Sequence, residues 1–147
     1  MRKLLVIVFA LACYVTTLGV DVASAADKVI IAAPSDVKWT ACDPQVPAGC
    51  QFVIVQGNLE KGPAVQLVKA PAGHVFPPHR HSSTPEHITM IAGSILLGYE
   101  GGVDQYVGPG SYLFIEENLV HWARCPEPCV FSLVTTGPFD LISAEKR

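Results

Sequence analysis

The chain has 147 residues, half of them hydrophobic, and carries a formal net charge of −3. That length suffices for one domain with a genuine core and is too short for two. The acidic balance lacks the basic footprint on which a nucleic-acid-binding protein depends, so no nucleic-acid partner is expected.

Arg2 and Lys3 precede an apolar run from Leu4 to Val20, and Ala23-Ser24-Ala25 follows. Basic, apolar and small-residue segments in that order are those of a secretory leader. Thr16, Thr17, Gly19 and Asp21 leave the run short of the ~20 apolar residues that a membrane span needs. Residues 1–25 are therefore read as a signal peptide cleaved after Ala25, which makes the remaining chain secreted or periplasmic and free of the membrane.

Residues 26–50 read as an N-terminal arm: a short strand at Val29-Ile30-Ile31, then Pro34, Trp39 and a loop between Cys42 and Cys50. Four cysteines remain after the leader. In an exported chain an even count points to disulfides, and of the three connectivities the local one is preferred, Cys42 with Cys50 and Cys125 with Cys129. The close spacing of the second pair leaves a chelating loop as the competing reading.

From residue 51 to 142, short apolar runs recur: Phe52 to Val55, Ala64 to Val68, Val75 to Phe76, His87 to Ala92, Ile95 to Tyr99, Gln105 to Val107, Tyr112 to Ile115, His121 to Arg124 and Val130 to Thr135. Turn formers separate them, among them Gly57-Asn58, Gly62-Pro63, Gly101-Gly102 and Gly108-Pro109-Gly110. Such spacing predicts an all-β antiparallel sandwich or small barrel, in one domain. No segment after the leader has a convincing amphipathic helical period.

The chemistry concentrates between Gly73 and Gly93. His79 and His81 are two apart, so on a strand both imidazoles leave the same face. Glu86 follows the turn-rich Ser82-Ser83-Thr84-Pro85 and opens the next apolar run. A third imidazole, His121, lies far downstream. Three neutral nitrogens and a carboxylate suit a divalent transition metal, whether iron, manganese, nickel, copper or zinc. His87, next to Glu86, should face the opposite side of its strand, and His74 is out of phase with His79; both are expected to face solvent or to support the ligands from behind. Arg80, between the two ligand histidines, should face away from the ion.

The spacing of Gly73, His79, His81, Glu86 and Gly93 is G-x5-H-x-H-x4-E-x6-G, and it resembles the first motif of the cupin superfamily. The second cupin motif is met in part. Gly110 is in place, Glu116 stands where proline is usual, Asn118 where glycine is usual, His121 is at the required spacing, and Cys125 replaces the final asparagine. Asn118 is a mild departure, because asparagine tolerates the left-handed backbone that the glycine would supply. The resemblance covers roughly residues 60 to 137. It implies a jelly-roll that brings His121 back to the first three ligands, with Ile88, Met90, Leu97, Tyr112, Phe114 and Phe131 as candidates for the apolar wall. Because cupins often pair, it also allows a homodimer.

Four protein ligands on an ion that prefers six leave open positions for a small-molecule substrate. The resemblance to cupin dioxygenases implies a metalloenzyme acting on a small organic molecule. Redox-neutral isomerisation or decarboxylation is the second reading, with Glu116 or Glu117 as the catalytic proton carrier. The third is a module that binds a metal or ligand without turnover.

Overall fold

The computed structural model describes residues 36–145. The assigned signal peptide and the strand expected at 29–31 lie outside the described residues. Eleven strands follow: β1 (Thr40–Ala41), β2 (Gln51–Gly57), β3 (Ala64–Ala70), β4 (Val75–Arg80), β5 (Glu86–Ala92), β6 (Ile95–Tyr99), β7 (Gln105–Val107), β8 (Tyr112–Ile115), β9 (His121–Arg124), β10 (Cys129–Thr135) and β11 (Ile142–Ser143). Every run expected from residue 51 to Thr135 is a strand. The structure adds β1 and β11, two-residue strands too short to carry a periodic signal.

The strands form two antiparallel sheets, one in the order β1-β2-β3-β10-β5-β8 and the other β11-β4-β9-β6-β7. Neighbours distant in sequence, such as β3 beside β10 and β4 beside β9, give the all-β jelly-roll that strand spacing alone could not specify. Side chains alternate between faces along a strand, and that period fills the space between the sheets. Ala64, Val68 and Ala70 of β3, Phe131 and Leu133 of β10, and Ile88 and Met90 of β5 are all buried on the inner face of the larger sheet. Leu113 and Ile115 of β8 join them.

That phase corrects the expected apolar wall. Ile88, Met90, Leu97 and Phe131 are buried, but Tyr112 and Phe114 are 61% and 52% exposed on the outer face. The run Tyr112-Leu113-Phe114-Ile115 is apolar throughout, so no alternation reveals which half turns inward. Pairing with β5, which sets Leu113 against Ile88 and Ile115 against Glu86, decides it; a slip of one residue would have reversed it.

Cys42 with Cys50, and Cys125 with Cys129, lie at disulfide distance, with Cα atoms 5.4 and 5.9 Å apart. The preferred local pairing is therefore the one found, and it fits an oxidising environment. Gly93, the last residue of the first motif, turns β5 into β6 at a φ of 64°. A Cβ there would run into the Pro128 carbonyl beside the second disulfide, so only glycine fits. Asn118 takes a φ of 65° and supplies the left-handed residue before β9. Among the described residues no helix is long and apolar enough to cross a membrane.

Candidate metal centre

His79 sits at the end of β4, where Pro77 and Pro78 interrupt the ladder with β9. The register runs from Phe76 opposite Ala123 to His79 opposite His121, three steps on one strand against two on the other. Such a bulge re-aims the side chains beyond it. Here it places the His79 and His121 rings side by side, with centroids 4.3 Å apart. His81 lies just past the strand end, its ring 5.1 Å from that of His79 and stacked on Phe139 at 4.5 Å. The two-residue spacing thus puts both imidazoles in the same space, as expected of an extended segment.

Glu86 enters from the opposite sheet as the first residue of β5. The linker before it is pinned to the chain that follows β10. Thr84 Oγ1 accepts hydrogen bonds from the Thr136 and Gly137 amides, and the Asp140 carboxylate accepts from the Ser82 amide and hydroxyl. As a result Glu86, only 5% exposed, faces the three rings. Its Oε1 lies 3.3 Å from His81 Nε2 and its Oε2 lies 2.9 Å from His121 Nε2. The ligand atoms that His79, His81, Glu86 and His121 can offer all fall within 4.8 Å of one another, and all four residues are buried. The structure therefore brings together the whole ligand set expected from the motif.

The outward nitrogen of each ring shows what the inward one can do. His79 Nδ1 donates to the Pro77 carbonyl at 2.6 Å, His121 Nδ1 to the Leu119 carbonyl at 3.0 Å, and His81 Nδ1 to the Asp140 carbonyl. A carbonyl can only accept, so each Nδ1 carries the proton, and in the neutral ring the Nε2 lone pair turns inward. Carbonyls behind metal-bound histidines set tautomer and ring angle in just this way. The contacts between rings and carboxylate are close but miss hydrogen-bond alignment, leaving buried His81 Nε2 and Glu86 Oε2 without a partner. Buried polar atoms seldom go unpaired. Three lone pairs and a carboxylate converging on one point, with orphaned atoms among them, fit a divalent cation.

The electrostatics agree. Burial, followed by the neighbouring His121 ring, lowers the His79 pKa to about 4, so the ring is neutral and ready to ligate near neutral pH. Burial by itself would raise the Glu86 carboxyl, but the His121 and His81 nitrogens beside it outweigh that and hold it well below the usual carboxylate range. Burial pulls His81 down, yet Glu86 more than compensates and the net direction is upward.

The cluster opens into a cavity of about 460 Å³ between the sheets. Apolar side chains dominate its wall, including Phe52, Val68, Ile88, Leu97, Phe131 and Leu133. Across it lies the arm closed by Cys42 and Cys50, which contributes Asp43, Pro44 and Val46. Gln45 ties that arm to the C-terminal segment, donating from Nε2 to the Leu141 carbonyl at 3.0 Å and accepting from the Ser143 hydroxyl at 2.7 Å. The segment that covers the cavity is thus bound to the one whose Asp140 carbonyl orients His81.

Other residues singled out in the sequence fall elsewhere. Glu116 and Glu117 are exposed on the turn after β8. Glu116 shares a second cleft of about 600 Å³ with His121, whereas Glu117 lines neither cavity. Arg80 faces away from the cluster as expected and donates to Asn118 Oδ1 at 2.7 Å. His87 lies on the outer face with its Nδ1 2.6 Å from the Tyr112 hydroxyl. His74 corrects the expectation, being buried, set edge-on to Phe76 at 4.7 Å, and in no contact with the cluster. The turn at Gly73, whose amide donates to the Cys125 carbonyl, folds it inward.

The sequence reading passed over Gln66. It is 3% exposed, lines the cavity, and its Nε2 has no hydrogen-bond partner. A glutamine among the inward positions Ala64, Val68 and Ala70 of β3 was the available signal.

Solved structures with the same fold include the polyketide cyclase RemF from Streptomyces resistomycificus, at 18% identity and a TM-score of 0.68 over 82% of this chain and 88% of that one. An RmlC-like cupin from Shewanella frigidimarina aligns at 14% identity and a TM-score of 0.62, over 75% of this chain and 92% of that one. The DMSP lyase DddQ from Ruegeria pomeroyi aligns at 20% identity and a TM-score of 0.60, over 70% of this chain but only 57% of that one. No curated protein matches the sequence. Residues 27–140 match the ChrR cupin-like domain, most of the chain and every strand that carries the cluster, so the protein belongs to the ChrR cupin-like family of the cupin superfamily.

Proposed function

We propose that this cupin is an exported metalloenzyme acting on a small, largely apolar organic molecule by dioxygenase-like chemistry. The observation that carries the reading is the set of three rings held by Nδ1 bonds to carbonyls, with their Nε2 atoms and the Glu86 carboxylate gathered at one end of an apolar cavity. His79, His81, Glu86 and His121 would hold a divalent transition metal. When bound, such an ion supplies Lewis-acid polarisation of a substrate oxygen and, as iron or copper, a route to dioxygen chemistry.

The chain's own residues bind and orient. The apolar wall excludes water and favours a hydrophobic guest. Two further carboxylates line the cavity, and both are engaged: Asp43 accepts from the Gln45 amide, and Asp140 accepts from Ser82. The cyclase and the lyase among the structural relatives act, by name, on small molecules, which is in keeping with this reading. The leader and the two disulfide-spaced cysteine pairs support export, and exposed Ile91, Tyr112 and Phe114 on the outer face of the larger sheet would serve a homodimer.

The test is oxygen uptake by the iron- or manganese-loaded protein across enediol, catechol and flavonol-like compounds. Glu86→Gln should abolish uptake and weaken metal binding by more than the ~10–100-fold typical of losing a supporting residue. No metal-dependent turnover across that panel would count against the proposal. A second reading, redox-neutral proton transfer, draws on the cleft that Glu116 shares with His121. It predicts turnover without oxygen that is lost in Glu116→Gln, with Glu117→Gln as the neighbouring comparison.

A further inference from the structure

We infer that the seam between β7 and β8 is a second entrance to the metal centre, through which a small uncharged molecule of dioxygen's size reaches the ion while the organic guest fills the larger cavity. The inference rests on the metal reading above and adds a route for the second reactant. β8 ends one sheet and β7 ends the other. The cleft of about 600 Å³ lies between these two strands, and every residue of both lines it, inward-facing and outward-facing alike. It therefore follows the strand edges and opens the sandwich from the side. Leu97, Ile115 and His121 line this cleft and the larger cavity as well. At those residues the wall between the two spaces is one side chain thick.

The register sets the ligands close behind that wall. Ile115 of β8 is paired with Glu86, and Tyr99 of β6 with His121. Residues directly opposite one another share a face, with Cβ atoms ~4.5–5.5 Å apart. On each sheet a single residue thus separates a ligand from the seam. Leu97 and Ile115 are only 9% and 4% exposed, so the wall is closed by aliphatic side chains. Packed side chains do hop between rotamers, and the gap that one such hop opens passes a diatomic molecule but not a ring. Water gives up hydrogen bonds in crossing an apolar gap, whereas dioxygen has none to give up. Glu116 stands in the cleft and no lysine or arginine lines it, which disfavours anions. Gln105, paired with Leu97 and exposed at the sheet edge, lies over the wall and donates from Nε2 to the Tyr99 hydroxyl at 3.4 Å.

The discriminating experiment loads the full-length protein anaerobically with ferrous iron and uses nitric oxide as the probe, since it is uncharged and diatomic and changes the absorbance of the ion it binds. Iron content is measured in the same samples, and stopped flow gives the association and dissociation rates. Because the larger cavity offers a route of its own when no guest is present, the rates are compared in a Pro44→Trp background, where an indole on the covering arm obstructs that mouth. Adding Gln105→Trp, which lays a second indole across the seam, should slow association about tenfold, or ~1.4 kcal/mol on the barrier to entry. Adding Ile115→Ala instead should speed it. An obstructed entrance slows association and dissociation alike and leaves Kd unchanged, whereas a disturbed metal centre shifts Kd. An association rate that Gln105→Trp does not lower, or a fall in rate accompanied by a changed Kd, overturns the inference and leaves the metal centre standing. A protein that takes up no iron, or iron that takes up no nitric oxide, overturns the open-site metal reading and this inference with it. Should Ile115→Ala fail to fold, the exposed Gln105→Trp decides alone.

Discussion

Acidifying the metal-free protein from pH 6.5 to pH 4 should remove about 3 kcal/mol of stability through His79 alone. In the unfolded chain this histidine titrates at its ordinary 6.5; in the folded protein burial and the His121 ring lower it to about 4. Between those values the unfolded chain binds the additional proton, so stability rises with pH, is fully present above 6.5 and is lost on descent. At 1.36 kcal/mol per pH unit the difference amounts to about 3 kcal/mol. His81 has the opposite sign, because its folded pKa is raised. Its contribution is present below 6.5 and lost as pH climbs through the raised value, so it adds nothing to the acid loss. Glu86, whose folded pKa is depressed, contributes above its ordinary 4.5 and loses that contribution as pH falls below it. Urea unfolding of chelator-treated wild type and His79→Gln at both pH values isolates the His79 share by subtraction. With a urea slope of ~1–3 kcal/mol per M, the difference between the two proteins' midpoints should change by roughly 1–3 M. Midpoints that move in parallel would show that the folded ring takes up its proton at the same pH as the unfolded one, and the argument for a neutral, ligation-ready His79 would be lost.

Two further outcomes test the frame around the site. Replacing both Cys42 and Cys50 by serine frees a loop with a sequence separation of 8 and should cost about 2–3 kcal/mol by chain entropy, read as a lower melting temperature; a wild-type melting temperature indifferent to reductant would contradict it. Asn118→Ala should cost ~1–2 kcal/mol more than Asn118→Gly, since both lose the Arg80 bond but only alanine pays for the left-handed backbone. Equal midpoints for the two variants would mean that the turn relaxes.

Three of the four candidate ligands were legible because their spacing is local. A two-residue spacing puts His79 and His81 on one face whatever the rest of the chain does, and the turn residues before Glu86 deliver it to the next strand. The strands themselves could be read because glycine, proline and asparagine punctuate them. Asn118 could be anticipated as a left-handed residue for the same reason, since its side chain acts on its own backbone.

Where the reading failed, the deciding contact was distant. Tyr112 and Phe114 lie in an unbroken apolar run, and only the register with β5 turned Leu113 and Ile115 inward instead. His74 was buried by a turn whose hydrogen bonds reach Cys125. Gln66 was set on the same inner face as Glu86 by its register with Leu133, and by that of Leu133 with Ile88, residues far away in the chain.

By itself the sequence determined an all-β chain, its turns, its local cysteine pairs and the grouping of His79, His81 and Glu86 as candidate ligands, because each depends on alternation or spacing within a few residues; His121 joined them only through the resemblance to the second cupin motif. Tertiary structure alone decided which face of each strand is wet, where His121 meets its partners, how the Asp140 carbonyl holds the His81 ring, and that a cavity lies beneath. Those outcomes depend on pairing between strands remote in sequence, and a period of two says which residues share a face but not what that face will meet.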